Sequence, residues 1–126
     1  LDGCMAPKAM FAEANLEGAS FHKAKCQQAL FFEAKARSAD FSGADISMCV
    51  FLRAKCPDAR FENADLTFSD LSHADVSGAD FTGATLKNAR MHRTKEDGAK
   101  FGLNRATAFN TDNDTAQAED WQPPAP

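Results

Sequence analysis

A chain of 126 residues, 44% of them hydrophobic and with a net charge of −4, has the size of one domain. No apolar run approaches the ~20 residues of a bilayer span, so no membrane partner is expected; no secretory signal is visible, which means little in a chain that starts in phase at Leu1. The small net charge also excludes a strong long-range field of either sign.

From Leu1 to Ala106 the chain is written in fives. The fifth positions are mostly large and apolar: Phe11, Leu16, Phe21, Cys26, Phe31, Ala36, Phe41, Ile46, Phe51, Cys56, Phe61, Leu66, Leu71, Val76, Phe81, Leu86, Met91, then Phe101 and Ala106. Only Glu96 breaks the series outright. Two places before each of these centres stands a small residue, and 16 of the 21 such sites from Cys4 to Asn104 are alanine, too long a phase to be chance.

A helix turns about 100° per residue, so a step of five rotates about 140° and smears these side chains round the cylinder. In a flat strand, an odd step sends successive centres to opposite faces. The pattern fits a short extended piece followed by a bend in every repeat, with the small residue and the centre pointing inward. Gly18, Gly43, Gly78 and Gly83 fall at the second turn position, where a type II turn needs positive φ, and Pro57 falls at the first.

The motif of alanine, any residue, then a large apolar residue is seen in Ala14-Asn15-Leu16, Ala39-Asp40-Phe41, Ala44-Asp45-Ile46, Ala64-Asp65-Leu66, Ala74-Asp75-Val76 and Ala79-Asp80-Phe81. It resembles the pentapeptide-repeat proteins over roughly residues 1–106. The resemblance implies an all-β solenoid, a right-handed quadrilateral β-helix with four repeats to a coil. About five coils at the strand spacing make a rod about 24 Å long. Centres one coil apart should stack, and Phe21, Phe41, Phe61, Phe81 and Phe101 form one such column opposite Phe11, Phe31, Phe51, Leu71 and Met91. A ten-residue period would give much the same pattern.

The outward positions carry the functional chemistry. Leu30 and Phe32 flank Phe31, and Val50 and Leu52 flank Phe51, one coil apart on one side, with Met48 and Phe68 in the adjoining turn column. Six apolar side chains on one external surface mark an interaction patch, unless a loop or the C-terminal tail covers them. Charge is banded: residues 61–86 hold five acids and no base, residues 87–105 hold six bases against Glu96 and Asp97, and the remaining tail is acidic. An acidic tail beside a basic end coil invites fold-back pairing.

Residues 107–126 form the expected C-terminal cap or tail, its end disordered. A short helix within Thr111 to Asp120 has Thr111 or Asp112 as its N-cap, and Phe109 and Trp121 are expected to anchor it over the last coil. Glu96 either sits at a watered centre position there or bulges out with Asp97 and Gly98. At the other end no cap is visible. That asymmetry is expected to reflect an upstream domain or end-to-end pairing, and the in-phase start fits a fragment of a larger protein.

Cys4, Cys26, Cys49 and Cys56 all sit at inward positions and read as small buried hydrophobes; no metal-ligand spacing is present. His22, His73 and His92 fall in different columns with no nucleophile set beside them. The carboxylates Asp65, Asp70, Asp75 and Asp80 ring the rod without converging. No enzyme, cofactor or metal is therefore expected. The reading is a non-catalytic interaction or scaffold module of bacterial type that binds a protein partner or a second copy as a homodimer. A reduced, cytoplasmic setting fits the cysteines, with secretion by a leaderless route left open. Pentapeptide repeats also occur in larger, secretion-associated proteins, and the resemblance offers one alternative: the DNA-mimicking gyrase-binding proteins of the fluoroquinolone-resistance type. Columns such as Ser20, Asp40, Arg60, Asp80, Lys100 mix signs and disfavour it. Nucleic-acid binding through the basic end coil is disfavoured by the acidic tail and the lack of interleaved aromatics.

Overall fold

The computed structural model describes residues 1–121; the expected disorder of the chain end lies outside them. The chain winds as a right-handed quadrilateral β-helix. The residue before each centre pairs in parallel with the residue 20 further on, from Met5 with Lys25 up to Asp75 with Lys95. β1 (Asp80–Phe81) and β2 (Lys100–Phe101) keep the same offset. That offset decides for the 20-residue coil over the ten-residue period. Each side of a coil is so short between bends that, among the described residues, only β1 and β2 reach two consecutive strand residues.

One repeat shows how the backbone is satisfied. Val50 N–H donates to the Ala29 carbonyl at 3.1 Å, Phe51 N–H to Asp70 at 2.7 Å and Arg53 N–H to Ser72 at 3.0 Å, while Ala54 N–H closes the turn onto Phe51 at 2.9 Å. The second turn residue has positive φ at each repeat from Gly3 to Gly98, and 14 of these residues are not glycine. Left-handed backbone costs an L-residue about 1–2 kcal/mol, which the ladder of each repeat offsets.

The first turn residue is the one whose N–H the ladder leaves over. Where aspartate precedes the centre, its carboxylate accepts that N–H: Asp40 from Ser42 at 2.8 Å, Asp65 from Thr67 at 3.0 Å, Asp70 from Ser72 at 2.9 Å, Asp75 from Ser77 at 3.0 Å and Asp80 from Thr82 at 2.9 Å. The Ser42, Thr67 and Ser77 hydroxyls donate to the same carboxylates. The acids that ring the rod thus brace its corners, as local side-chain bonds do in turns.

Inside, the two phenylalanine columns interleave. Rings one coil apart lie nearly parallel, as in Phe31–Phe51 at 4.6 Å and 4°, and rings of facing columns meet edge-on, as in Phe41–Phe51 at 5.7 Å and 86°. Phe21, Phe31, Phe41, Phe51, Phe61 and Phe81 are sealed from solvent, and Phe11 and Phe101 close the two ends half-buried. Each ring contributes about 1.5–3 kcal/mol of burial before entropy, with about 0.5–1.5 kcal/mol more per favourable ring pair.

Three of the small inward sites that are not alanine are satisfied by one device. Cys49 Sγ donates to the Cys26 carbonyl at 3.0 Å, Ser69 Oγ to Ile46 at 2.6 Å and Thr94 Oγ1 to Leu71 at 2.7 Å.

The last coil departs from the expected register. Glu96 keeps its place as a centre, with Val76 N–H on Lys95 and Gly78 N–H on Asp97 at 2.9 Å each, so no bulge forms. Arg105 covers it, Nε to Oε1 at 2.8 Å and Nη2 to Oε2 at 2.9 Å, while its guanidinium lies 5.6 Å over the Phe101 ring. A 3₁₀ turn, Leu103–Thr107, then shortens the coil by one residue, and Phe109 rather than Asn110 pairs with Arg90. Ala106 is consequently exposed and is not a centre; Ala108 supplies the last inward side chain. α1 (Asn113–Asp120) follows, its N-cap Asp112 accepting from the N–H groups of Asp114 and Thr115.

Candidate functional site: an apolar face beside a docked helix

The side of the rod that carries Val50 lies between the corner at Met48 and the corner at Leu52. Met10, Leu30 and Val50 are successive ladder partners along its middle. Met48 and Phe68 stand at one corner, 48% and 61% exposed, and Phe32 and Leu52 line the other, half-buried like Leu30 and Val50. The six residues named from the sequence thus share one surface. Met10, 77% exposed, extends it, and the 20-residue step below Leu30 was the available signal. Higher on this side Asp70 and Arg90 replace the apolar residues, and they are ladder partners of each other.

α1 docks along the Leu52 corner, above the apolar part. Phe109 and Trp121 do not anchor it: they are 57% and 67% exposed, because the shortened coil turns Phe109 outward and Trp121 lies past the helix end. The attachment is polar. Glu119 accepts from His73 Nε2 and His92 Nε2, each at 2.7 Å. Arg93 donates to Asp120 at 2.8 and 2.6 Å and to the Ala116 carbonyl at 3.1 Å. The bonds to His92 and His73 hold the Glu119 carboxyl below its ordinary range, and those to Arg93 do the same for Asp120. His73 and His92 are 19 apart in sequence, so the coil sets them in adjacent columns with rings 5.4 Å apart. Sequence columns alone did not bring them together. His22 stands apart, its Nδ1 2.8 Å from Ser42 Oγ.

His73, His92 and Glu119 offer three ligand atoms within 4.8 Å of one another, so a metal has to be considered. The His92 tautomer opposes one. Its Nδ1 accepts the Asp112 N–H at 3.0 Å, which leaves the proton of the neutral ring on Nε2, pointing at Glu119. A cation at Nε2 needs that lone pair free, and the alternative tautomer sets two N–H groups against each other. The trio fits a hydrogen-bonded clamp.

Three of the cysteines, Cys26, Cys49 and Cys56, are buried and held in the thiol form. Burial pushes the Cys26 thiol up to about 11, with the neighbouring Cys4 adding to it, and pushes Cys49 and Cys56 up to about 12. The thiolate is the reactive form. No helix among the described residues is long and apolar enough to cross a membrane.

A family model of pentapeptide repeats matches the chain in eight copies over residues 9–47 and 59–95. Among solved structures, a pentapeptide repeat protein of the cyanobacterium Cyanothece 51142 aligns over 86% of this chain and 84% of its own, with 16% identity and a TM-score of 0.53. A thylakoid-lumen pentapeptide repeat protein of Arabidopsis thaliana aligns over 74% and 61%, with 28% identity and a TM-score of 0.41. One from Nostoc Pcc 7120 aligns over 94% and 96%, with 23% identity and a TM-score of 0.39. No curated protein sequence matches. With the repeat model covering more than half of the chain and the 20-residue coil in place, the protein belongs to the pentapeptide-repeat family.

Proposed function

We propose that this chain is a non-catalytic interaction module that binds a protein partner, or a second copy of itself, through the Val50 face. One observation carries the reading. Phe68 presents its ring 61% exposed from a turn position with φ of +59°, next to Met48 at +53°, although glycine or asparagine suits that backbone better. Large apolar side chains kept at left-handed corners beside an apolar face fit a contact surface. The rod supports this use because its ladder fixes the face in advance, so little ordering is lost on binding.

DNA mimicry fits less well. Up the ladder, acids alternate with bases: Arg60, Asp80 and Lys100 on one side, Lys55, Asp75 and Lys95 on another, Asp70 and Arg90 on a third. A DNA-like run of negative charge along the rod does not arise.

The test is the double variant Phe32→Asp/Leu52→Asp, compared with wild type by sedimentation velocity and by capture from the native host. Loss of self-association or of a captured partner is expected, with the melting temperature retained. Unchanged mass and capture would sink the proposal.

A further inference from the structure

Building on that reading, we infer that the Val50 face takes an extended acidic segment of another protein, which lays apolar side chains on Leu30, Phe32, Val50 and Leu52 and carries carboxylates round the corner onto Lys35, Lys55 and Arg53. Two coils present the same row in the same order. Leu30, Phe32, Glu33 and Lys35 run across one coil, and Val50, Leu52, Arg53 and Lys55 run across the next, Leu30 paired with Val50 and Lys35 with Lys55.

The lysine pair is the informative part. Like charges directly opposed on neighbouring strands destabilise a sheet, and the next partners up the same ladder, Asp75 and then Lys95, do alternate in sign. The other like pair, Asp45 with Asp65, has its own explanation. Asp45 braces the turn at Ser47 and accepts from Gln27 at 2.7 Å, and Asp65 braces the turn at Thr67. Lys35 and Lys55 have no comparable role. Among the described residues, neither they nor Arg53 makes an ion pair.

Charge and shape agree. Residues 21–60 hold seven bases and four acids, a local +3 in a chain of −4. Lys35 and Lys55 line two adjoining clefts, one completed by Glu33 and Arg53, the other by Arg37, Pro57 and the acids Glu17 and Asp75, so that bases outnumber acids in each. Apolar patch and basic clefts lie on either side of a convex corner, which a flexible chain can wrap and a straight helix cannot. With Leu30 and Val50 where aspartate braces other turns, the N–H groups of Phe32 and Leu52 at that corner have no acceptor among the described residues. They are available to a carboxylate or a peptide carbonyl.

The experiment uses the full chain and two fluorescent peptides of about ten residues, enough to span the row in extended form. One has Leu and Phe in its first half and Glu in its second; the other replaces Glu by Lys. Fluorescence anisotropy should show binding of the acidic peptide and at least about tenfold weaker binding of the basic one. Lys35→Glu/Lys55→Glu should weaken the acidic peptide about three- to tenfold and improve the basic one. Circular dichroism melting confirms that each variant is folded, and Phe32→Ser replaces Phe32→Asp if the latter is not. Binding indifferent to peptide charge, or unmoved by the lysine reversals, overturns this inference. If Phe32→Asp/Leu52→Asp still abolishes binding in that case, the face itself stands and only its occupant was wrong. Sensitivity to the lysines without sensitivity to Phe32 and Leu52 would instead remove the apolar-face function. Wild-type dimers that exclude the peptide would assign the face to a second copy and likewise overturn the inference.

Discussion

The stacked coils and the docked helix are held by opposite means. Between Phe21 and Met91 the inward residues are sealed, and one set of backbone bonds recurs coil after coil. In α1 only Ala116 is buried, and the helix depends on Glu119, Asp120 and Asp112 meeting His73, His92 and Arg93. Stability in the body is spread over neighbours, as in other solenoids. At the end it is concentrated in a few titratable side chains. The first should yield to a cavity and resist acid; the second should do the reverse.

The largest effect should come from emptying the stack. Phe51 is 0% exposed, lies 4.6 Å from Phe31 and meets Phe41 and Phe61 edge-on at 5.7 and 6.0 Å. Phe51→Ala leaves a hole that rigid ladders above and below cannot close, so a loss of about 3–5 kcal/mol is expected by denaturant titration. A loss under about 1 kcal/mol would mean that the coils collapse onto the gap. Removing a ring from a neighbouring coil should then cost less than the sum, because the two sites share partners.

Acid should act on the other region. Hydrogen bonds from His92 and then His73 depress the Glu119 carboxyl, the Thr115 hydroxyl and then its N–H depress Asp112, and Arg93 depresses Asp120. A carboxyl with a lowered folded value stabilises above its unfolded pKa, near 4, and that contribution is lost as pH falls through the folded value. The turn-bracing acids share the direction. Burial alone would raise Asp40 and Asp75, but bonds from Ser42 and Ser77 bring both down, and bonds from Thr82 lower Asp80. Each of those turns keeps its ladder when the acid protonates, whereas α1 keeps little beyond the Arg93 bond to the Ala116 carbonyl, the Asp112 N–H bond to His92 and the buried Ala116. Nuclear magnetic resonance on titration below about pH 4 should show α1 detaching while the core signals of Phe41 and Phe61 persist. Glu119→Gln should shift that release toward neutral pH. Simultaneous loss of both regions would show them to be one cooperative unit.

The same contrast separates what the sequence reveals from what it hides. The five-residue period is a property of inward positions, so the stack, the turn glycines and the six-residue patch can be read from residue spacing. Coil length could not, since Phe11, Phe21, Phe31, Phe41 and Phe51 recur every ten and only the ladder distinguishes two columns from one. The clamp was hidden because it joins His73 and His92, neighbours through the coil, to Glu119, which lies beyond the periodic part. The slip at Ala106 is equally local, set by a 3₁₀ turn that no period announces. One further signal lies in the sequence itself: aspartate two places before serine or threonine, at Asp40, Asp45, Asp65, Asp70, Asp75 and Asp80, spells the corner brace.

The smallest effect asks whether the apolar face belongs to the fold or to the surface. Phe68 occupies a corner with φ of +59°, and glycine there removes a cost of about 1–2 kcal/mol while losing roughly 0.5–1 kcal/mol to chain entropy. Phe68→Gly should therefore raise stability by at most about 1.5 kcal/mol, or leave it unchanged, and Met48→Gly should behave alike. Association through the Val50 face should weaken in both. A melting temperature that rises while binding falls would separate the ring's contact role from the body's stability. A clear fall in melting temperature would instead place the ring among the contacts that hold neighbouring coils together, and the exposed corner would have to be counted with the stack.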